Sequence, residues 1–371
     1  IHVGTHGDRG LAAFDAVRAK LDSPIPLGYS MAGRVLEVGR DARDFAIGDR
    51  VACAGAGIAN HAELNAVPRN LAVHVPDAVS DEEACFATVA AIGLQGVRLV
   101  EPSLGELVVV IGLGLIGQIV ASLLTAHGCD VVGVDVDPAR VKLALERGAI
   151  GGVISGKDDA SATVNGLSRD RGADAIVVTA SASTNEPLVL AGEIARERAV
   201  VSIVGFLPIE IPRATYYAKE LRVVVSRSYG PGRYDPDYED RGHDYPIGYV
   251  RWTQRRNLEA VLRAIATRRL DVKGLITHRF PFERALDAYE LITADHPEPH
   301  LGVVLTYPER EIARPTSRPA APVRTRSGDL GLAVVGTGSF ATSVLLPAIK
   351  ELDGVRLIAT ASGRGRSARQ I

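Results

Sequence analysis

Apolar and polar positions set two different rhythms along this chain. Gly33-Arg34-Val35-Leu36-Glu37-Val38 alternates with period two, which predicts a strand. Phe45 to Val51 reads as a turn at Gly48-Asp49 followed by a strand. Residues 81–99 read as a helix, opened by Asp81 with Glu82 and Glu83 in its first turn. From Glu106 strands and helices alternate. The strands are expected at 107–112, 130–135, 152–155, 174–179, 199–204 and 221–227, and the helices at 115–127, 138–147, 159–169 and 187–196. That alternation predicts an α/β fold, a doubly wound parallel sheet with helices on both faces. Residues 228–250 lose periodicity and gather Tyr, Gly, Asp, Arg and Pro. Helices follow at 257–268 and 283–294, then a closing strand at 302–307.

Pro308, Pro315, Pro319 and Pro322, interspersed with arginines, give 308–329 a linker composition. A fresh strand–turn–helix–strand unit follows, with strands at 332–335 and 355–360. One such unit cannot cover both its faces, so it reads as the opening of a second nucleotide-type domain. The expected divisions are 1–95, 96–227, 228–307, 308–329 and 330–371. The chain opens on Ile1 and holds one Met, Met31, so it reads as truncated at both ends.

Composition narrows the classes. Of 371 residues 46% are apolar and 23% charged, enough to bury a sizeable core. The net charge of −2 gives no argument for nucleic acid or an anionic membrane as partner. Three cysteines, Cys53, Cys85 and Cys129, make neither a disulfide framework nor a four-thiolate zinc knot, and point to a reducing cytoplasm. The run from Leu107 to Ala126 is as long as a membrane span, but three glycines and a β-branched start make it strand, turn and helix.

Those glycines carry the chemistry. Gly112-x-Gly114-x-x-Gly117 follows a strand and opens a helix, and Asp135 ends the next strand eighteen residues past Gly117. This context fits dinucleotide binding: a tight turn, close approach of backbone to pyrophosphate, close helix–strand packing, and an acid for the ribose hydroxyls. Candidate cofactor residues are Gly112, Gly114, Leu115, Ile116, Gly117, Asp135, Arg140, Thr179, Ala180 and Gly205. Asp135 repels a 2′-phosphate and favours NAD, while nearby Arg140 leaves NADP open. A second loop, Gly336-x-Gly338-x-x-Ala341, is followed by Ser362, Arg364 and Arg366 rather than an acid, and is expected to bind nothing here.

Residues 24–305 resemble the medium-chain dehydrogenase/reductase family, the zinc-type alcohol dehydrogenases. The carrying residues are Gly28, Gly33-Arg34-Val35, Gly48-Asp49-Arg50-Val51, the 84–97 helix and the Gly112–Gly117 loop with Asp135. The Gly336–Ala341 loop is similar to the start of the glucose–fructose oxidoreductase (Gfo/Idh/MocA) family. The stretch from Ser226 to Pro236, with Tyr249-Val250-Arg251-Trp252 and Asn257-Leu258, resembles bi-domain oxidoreductases that join the two. The resemblance implies an incomplete GroES-like catalytic domain, a Rossmann domain and the opening of a second Rossmann domain. It implies an NAD(P)-dependent oxidoreductase, a homo-oligomer, acting on a small alcohol/carbonyl pair, with a sugar as a candidate. A dinucleotide-holding scaffold, with catalysis elsewhere, is the competing reading.

The chain departs from the family where zinc would bind. Gly28-Tyr29-Ser30 stands where members carry Gly-His-Glu, and a later cysteine ligand would fall near Ala87 or Thr88. No zinc is therefore expected. Hydride transfer still needs a group to protonate or stabilise the alkoxide. Tyr29, Ser30 and His61 are the catalytic candidates, with a merely hydrogen-bonded histidine as the alternative for His61. The aromatic and arginine-rich 229–252 segment suits either substrate contact or an interface loop.

Overall fold

The computed structural model describes residues 26–294, 298–308, 330–338 and 340–362. They belong to two units, 25–308 and a second one containing 309–371, taken in turn. Residues 309–329 of the expected linker, with Arg364 and Arg366, lie outside the described residues.

In the first unit, β1 (Ser30–Arg34), β2 (Arg50–Ala54) and β3 (Ala72–His74) form an antiparallel sheet in that order. The strand expected at 33–38 thus begins earlier and ends at Arg34. Val35 N–H donates to the Asp49 carbonyl (2.9 Å) and Gly48 N–H to the Val35 carbonyl (2.8 Å). With Gly48 at φ +95° these bonds close the hairpin, leaving 36–38 outside the strand. The single helix expected at 81–99 is two: α1 (Asp81–Ala84), with a Ser80/Glu83 capping box, and α2 (Ala87–Val100). Phe86 N–H reaches only to the Glu83 carbonyl, a tightened last turn that ends α1.

The sheet expected from Glu106 onward is present. It comprises β4 (Leu107–Ile111), β5 (Asp130–Asp135), β6 (Gly151–Ile154), β7 (Ala173–Val178), β8 (Ala195–Ile203) and β9 (Arg222–Val225). All six are parallel, in the order β6-β5-β4-β7-β8-β9. Crossovers are α3 (Leu115–His127), α4 (Pro138–Glu146), α5 (Ala160–Ser168), α6 (Glu186–Ile194) and the unforeseen short α7 (Arg213–Ala218). Val108, Val109 and Val110 are fully buried, as a strand covered on both faces demands. Strand order reverses between β4 and β7, which opens a crevice at their carboxyl ends.

The segment expected to be irregular contains α8 (Pro236–Glu239), and α9 (Gln254–Ala266) starts three residues before its expected 257, capped by Thr253. Gln254, Arg255 and Arg256 hid that start by being polar. β10 (Ile276–Pro281) was not foreseen. It pairs in parallel with β11 (Gly302–Thr306), and its Thr277-His278-Arg279 centre masks the alternation; α10 (Ala285–Thr293) connects the two. Helix α2 ties the β-rich lobe to the large sheet. A Cβ at Gly93 would lie 3.0 Å from Val120 of α3, and one at Gly96 2.3 Å from Val204. Its Ala87, Ala90 and Ala91 share a core with Leu258 and Val261 of α9.

In the second unit β12 (Leu330–Val335) pairs in parallel with β13 (Val355–Ala361) through a π-helical turn (Ala341–Leu345) and α11 (Leu346–Lys350). The strand–helix–strand pattern is therefore there locally. Among the described residues no helix is long and apolar enough to cross a membrane, and the Leu107–Ala126 run is β4, turn and α3.

Candidate functional site

The first site forms where β4 gives way to α3, at the point of strand reversal. Gly112 turns the chain at φ +95°, and a Cβ there would sit 2.5 Å from the Ala180 nitrogen. Gly117 is tighter still: its Cβ would lie 1.9 Å from the Gly112 carbonyl oxygen. Gly205 meets the Ala180 carbonyl oxygen at 1.9 Å in the same sense. Thr179 hydroxyl donates to the Gly112 carbonyl, and Thr179 and Ala180 N–H both donate to the Ile111 carbonyl (2.8 and 3.0 Å). The ends of β4, β7 and β8 are thus drawn together around a loop with no room for side chains. Gly114 differs, since nothing lies within 4 Å of its Cβ position. It caps α3, whose first N–H groups (Leu115, Ile116) and positive dipole end face that open side.

Asp135 is 7% exposed and ends β5. One carboxylate oxygen accepts from Leu113 N–H (2.6 Å) and the other from Asp137 N–H (2.9 Å). These bonds lock the acid against the glycine loop and leave lone pairs for a ribose diol. Arg140 pairs with Asp137 at 3.5 Å, so its charge is shared before a 2′-phosphate could use it. Gln118, not singled out in the sequence, is fully buried beneath the loop. Its amide donates to the Leu113 carbonyl (3.2 Å) and the Arg140 carbonyl (2.8 Å). The arrangement fits a dinucleotide: a cradle a Cβ would fill, an open phosphate side and a braced acid. Asp135→Ala is expected to weaken NAD binding by at least about tenfold, because a charge-assisted hydrogen bond contributes about 1.5–3 kcal/mol. Calorimetry giving unchanged affinity would remove Asp135 from the ribose.

The catalytic candidates lie in the β-rich lobe. Tyr29 is half-exposed just ahead of β1, and desolvation raises its phenol above the ordinary 10.0. Ser30 donates its hydroxyl to the Cys85 carbonyl at 2.5 Å, bracing β1 against the α1–α2 junction. His61 meets the Tyr289 hydroxyl through Nδ1 at 2.7 Å, and its ring packs on Gly28, where a Cβ would be 2.4 Å from Cδ2. Partial burial lowers the imidazole below 6.5. Gly28 therefore seats the His61 ring beside the residue that precedes Tyr29, whereas Ser30 turns toward Cys85. Sequence spacing could not supply Tyr289, 228 residues away.

Ala87 and Thr88 lie in the core, and Thr88 donates to the Cys53 carbonyl (3.2 Å). Burial pushes the Cys53 and Cys85 thiols up to about 12. In the aromatic segment Tyr229 and Tyr238 are buried, and a single Arg233 nitrogen, Nη1, donates to both Glu239 carboxylate oxygens (3.0 and 3.1 Å). Asn257 ties it to α2, donating to the Tyr229 carbonyl (3.0 Å) and Gln95 (3.2 Å). Tyr229 and Tyr238 of this segment are therefore turned inward, while Tyr234 and Tyr249 stand exposed.

Residues 6–77 match the alcohol dehydrogenase GroES-like domain, and residues 116–240 match the family model described as zinc-binding dehydrogenase. Among curated relatives, the D-guloside 3-dehydrogenase of Escherichia coli K12 is 26% identical over 299 residues, 79% of this chain and 81% of its own. The D-xylulose reductase of Saccharomyces cerevisiae is 25% identical over 345 residues, 83% and 87% of the two chains. An alcohol dehydrogenase from Thermus sp. ATN1 shares the fold, with a TM-score of 0.63 at 21% identity over 80% of this chain and 89% of that one.

These matches correct the expectation that zinc is absent, because the matching family is a zinc-binding one. Among the described residues, however, no three His, Cys, Asp or Glu side chains converge. The described residues do not fit the metal, and no step below is routed through it. The glycine loop, the parallel sheet and the two family matches together identify an alcohol dehydrogenase-like oxidoreductase, similar to the zinc-type, medium-chain enzymes.

Proposed function

We propose that the chain moves a hydride between a nicotinamide dinucleotide, NAD by preference, and a hydroxyl of a sugar or polyol. The observation that carries this reading is the glycine loop at the strand reversal, closed everywhere except at Gly114 and braced by Asp135. The names of the relatives, a guloside dehydrogenase, a xylulose reductase and a sorbitol dehydrogenase, support a polyhydroxylated substrate. When bound, the nicotinamide supplies the hydride acceptor or donor. The chain's own residues do the rest. The α3 N-terminus takes the pyrophosphate, Asp135 orients the ribose, and Tyr29 with the His61–Tyr289 pair holds the proton exchanged with the substrate oxygen.

Gly114→Ala tests this directly. Its Cβ meets nothing in the fold but enters the open phosphate side. The expected result is an unchanged melting temperature without cofactor, with NAD-dependent turnover of a sugar and polyol panel reduced at least about tenfold, given that interactions with phosphate are charge-assisted. Undiminished turnover would favour a second reading. In that reading this loop is a scaffold, and the β12–β13 unit, where Gly336 has φ +94°, opens a further dinucleotide domain resembling the glucose–fructose oxidoreductase family.

A further inference from the structure

A crevice of about 450 Å³, built from elements other than the dinucleotide loop, lies where the turn at Arg69–Leu71 meets the 242–244 segment and the start of α9. Three guanidinium groups line it: Arg69, Arg255 and Arg256. Two of them occupy the first turn of α9, where the helix dipole disfavours cations and no acidic residue stands. Departures from a local rule of this kind concentrate at functional positions.

The partners of the three arginines are unequal. Arg255 holds Asp44 at 2.6 Å and approaches Glu259 at 3.4 Å. Arg256 pairs with Asp244 and donates to the Val250 carbonyl at 2.9 Å. Arg69 reaches Asp44 only at 3.5 Å, and its buried Nε has no partner. The stem of Arg69 is held by Gly242, whose Cβ position lies 3.0 Å from the Arg69 Cδ. Glycine at φ +75° thus fixes an under-used guanidinium at the crevice wall. Asp44 lies outside the lining but is shared by Arg69 and Arg255, so three carboxylates offset the three arginines and the unpartnered Arg69 Nε is the donor left over.

We propose that this crevice binds a small oxyanion, a phosphate or carboxylate group, with Arg69 as its principal fork and Arg256 as the second. Planar guanidinium groups match such oxygens in paired hydrogen bonds. The ligand is free phosphate or the acidic group of a sugar derivative, and the site stands whether or not the redox reading above holds.

Calorimetric titration of the full chain tests it with three probes: inorganic phosphate, a hexose phosphate and a hexuronate. Binding of at least one is expected, weakened about tenfold or more in Arg69→Gln, with NAD affinity unchanged. Tighter binding of the hexose phosphate or hexuronate than of inorganic phosphate identifies a sugar derivative; equal binding of the two phosphates identifies free phosphate. Asp244→Asn removes the carboxylate competing for Arg256 and is expected to tighten the same probe several-fold. Absence of binding by all three probes, or equal binding by the parent chain and Arg69→Gln with no gain in Asp244→Asn, overturns the proposal.

Discussion

Gly117→Ala is expected to destroy dinucleotide binding and to destabilise the fold by about 3 kcal/mol, the upper range for overpacking a filled site. The added methyl would stand 1.9 Å from the Gly112 carbonyl oxygen and 2.8 Å from its carbon. Both contacts are backbone, so no rotamer can relieve them. The only escape moves α3 away from β4, and that movement carries the Leu113 N–H off Asp135. Denaturant unfolding and NAD titration on the same preparation measure both consequences. A variant with parent affinity and stability would show that the loop closes less tightly than this geometry requires.

Glu239→Ala is the most damaging single change expected outside the loop. Arg233 and Glu239 form an ion pair through Nη1, which reaches both carboxylate oxygens, with side chains only 12% and 10% exposed. Arg233 also lies over the Tyr234 ring at 4.0 Å, so it cannot swing into water cheaply. Removing the carboxylate leaves a buried charge without its partner, at a cost of about 3–5 kcal/mol. Replacing both residues, Arg233→Met with Glu239→Leu, should recover most of that loss, because the penalty lies in the orphaned charge. Equal stability of the single and double variants would refute this account.

The parts of the site legible in the sequence are those whose geometry is local. The Gly112–Gly117 spacing and Asp135 speak through one strand, one turn and one helix, and the fold keeps them together. The parallel sheet was legible for the same reason, most of its strands carrying Val/Ile runs. Strand β10 was not, because Thr277, His278 and Arg279 are polar and its pairing with β11 is settled by tertiary contact. Nor was the His61–Tyr289 contact, or the meeting of Arg69 with Arg255 and Arg256 at one crevice wall. The aromatic segment divides in a way its composition did not tell: Tyr229, Tyr238 and Arg233 are turned inward, whereas Tyr234 and Tyr249 stand at the surface. The zinc expectation rested on two ligand places, Tyr29 and Ala87 or Thr88, read one by one, and the match to a zinc-binding family model outweighs it.

Helix α2 sets a rule for recombining this enzyme with its relatives. Its glycine side is shaped to Val120 and Val204 of the dinucleotide half, while its alanine side is shaped to α9 and the β-rich half. A chimaera cut before Ala87 would mate one parent's helix with the other parent's β-rich lobe. A cut in the turn after Val100, where Glu101 already adopts a left-handed conformation, would break the glycine contacts instead. Substrate range is therefore best exchanged by transplanting α2 and α9 together with the β-rich lobe and restoring small residues opposite Val120 and Val204, so that the seam runs through contacts made by hydrogen-sized side chains.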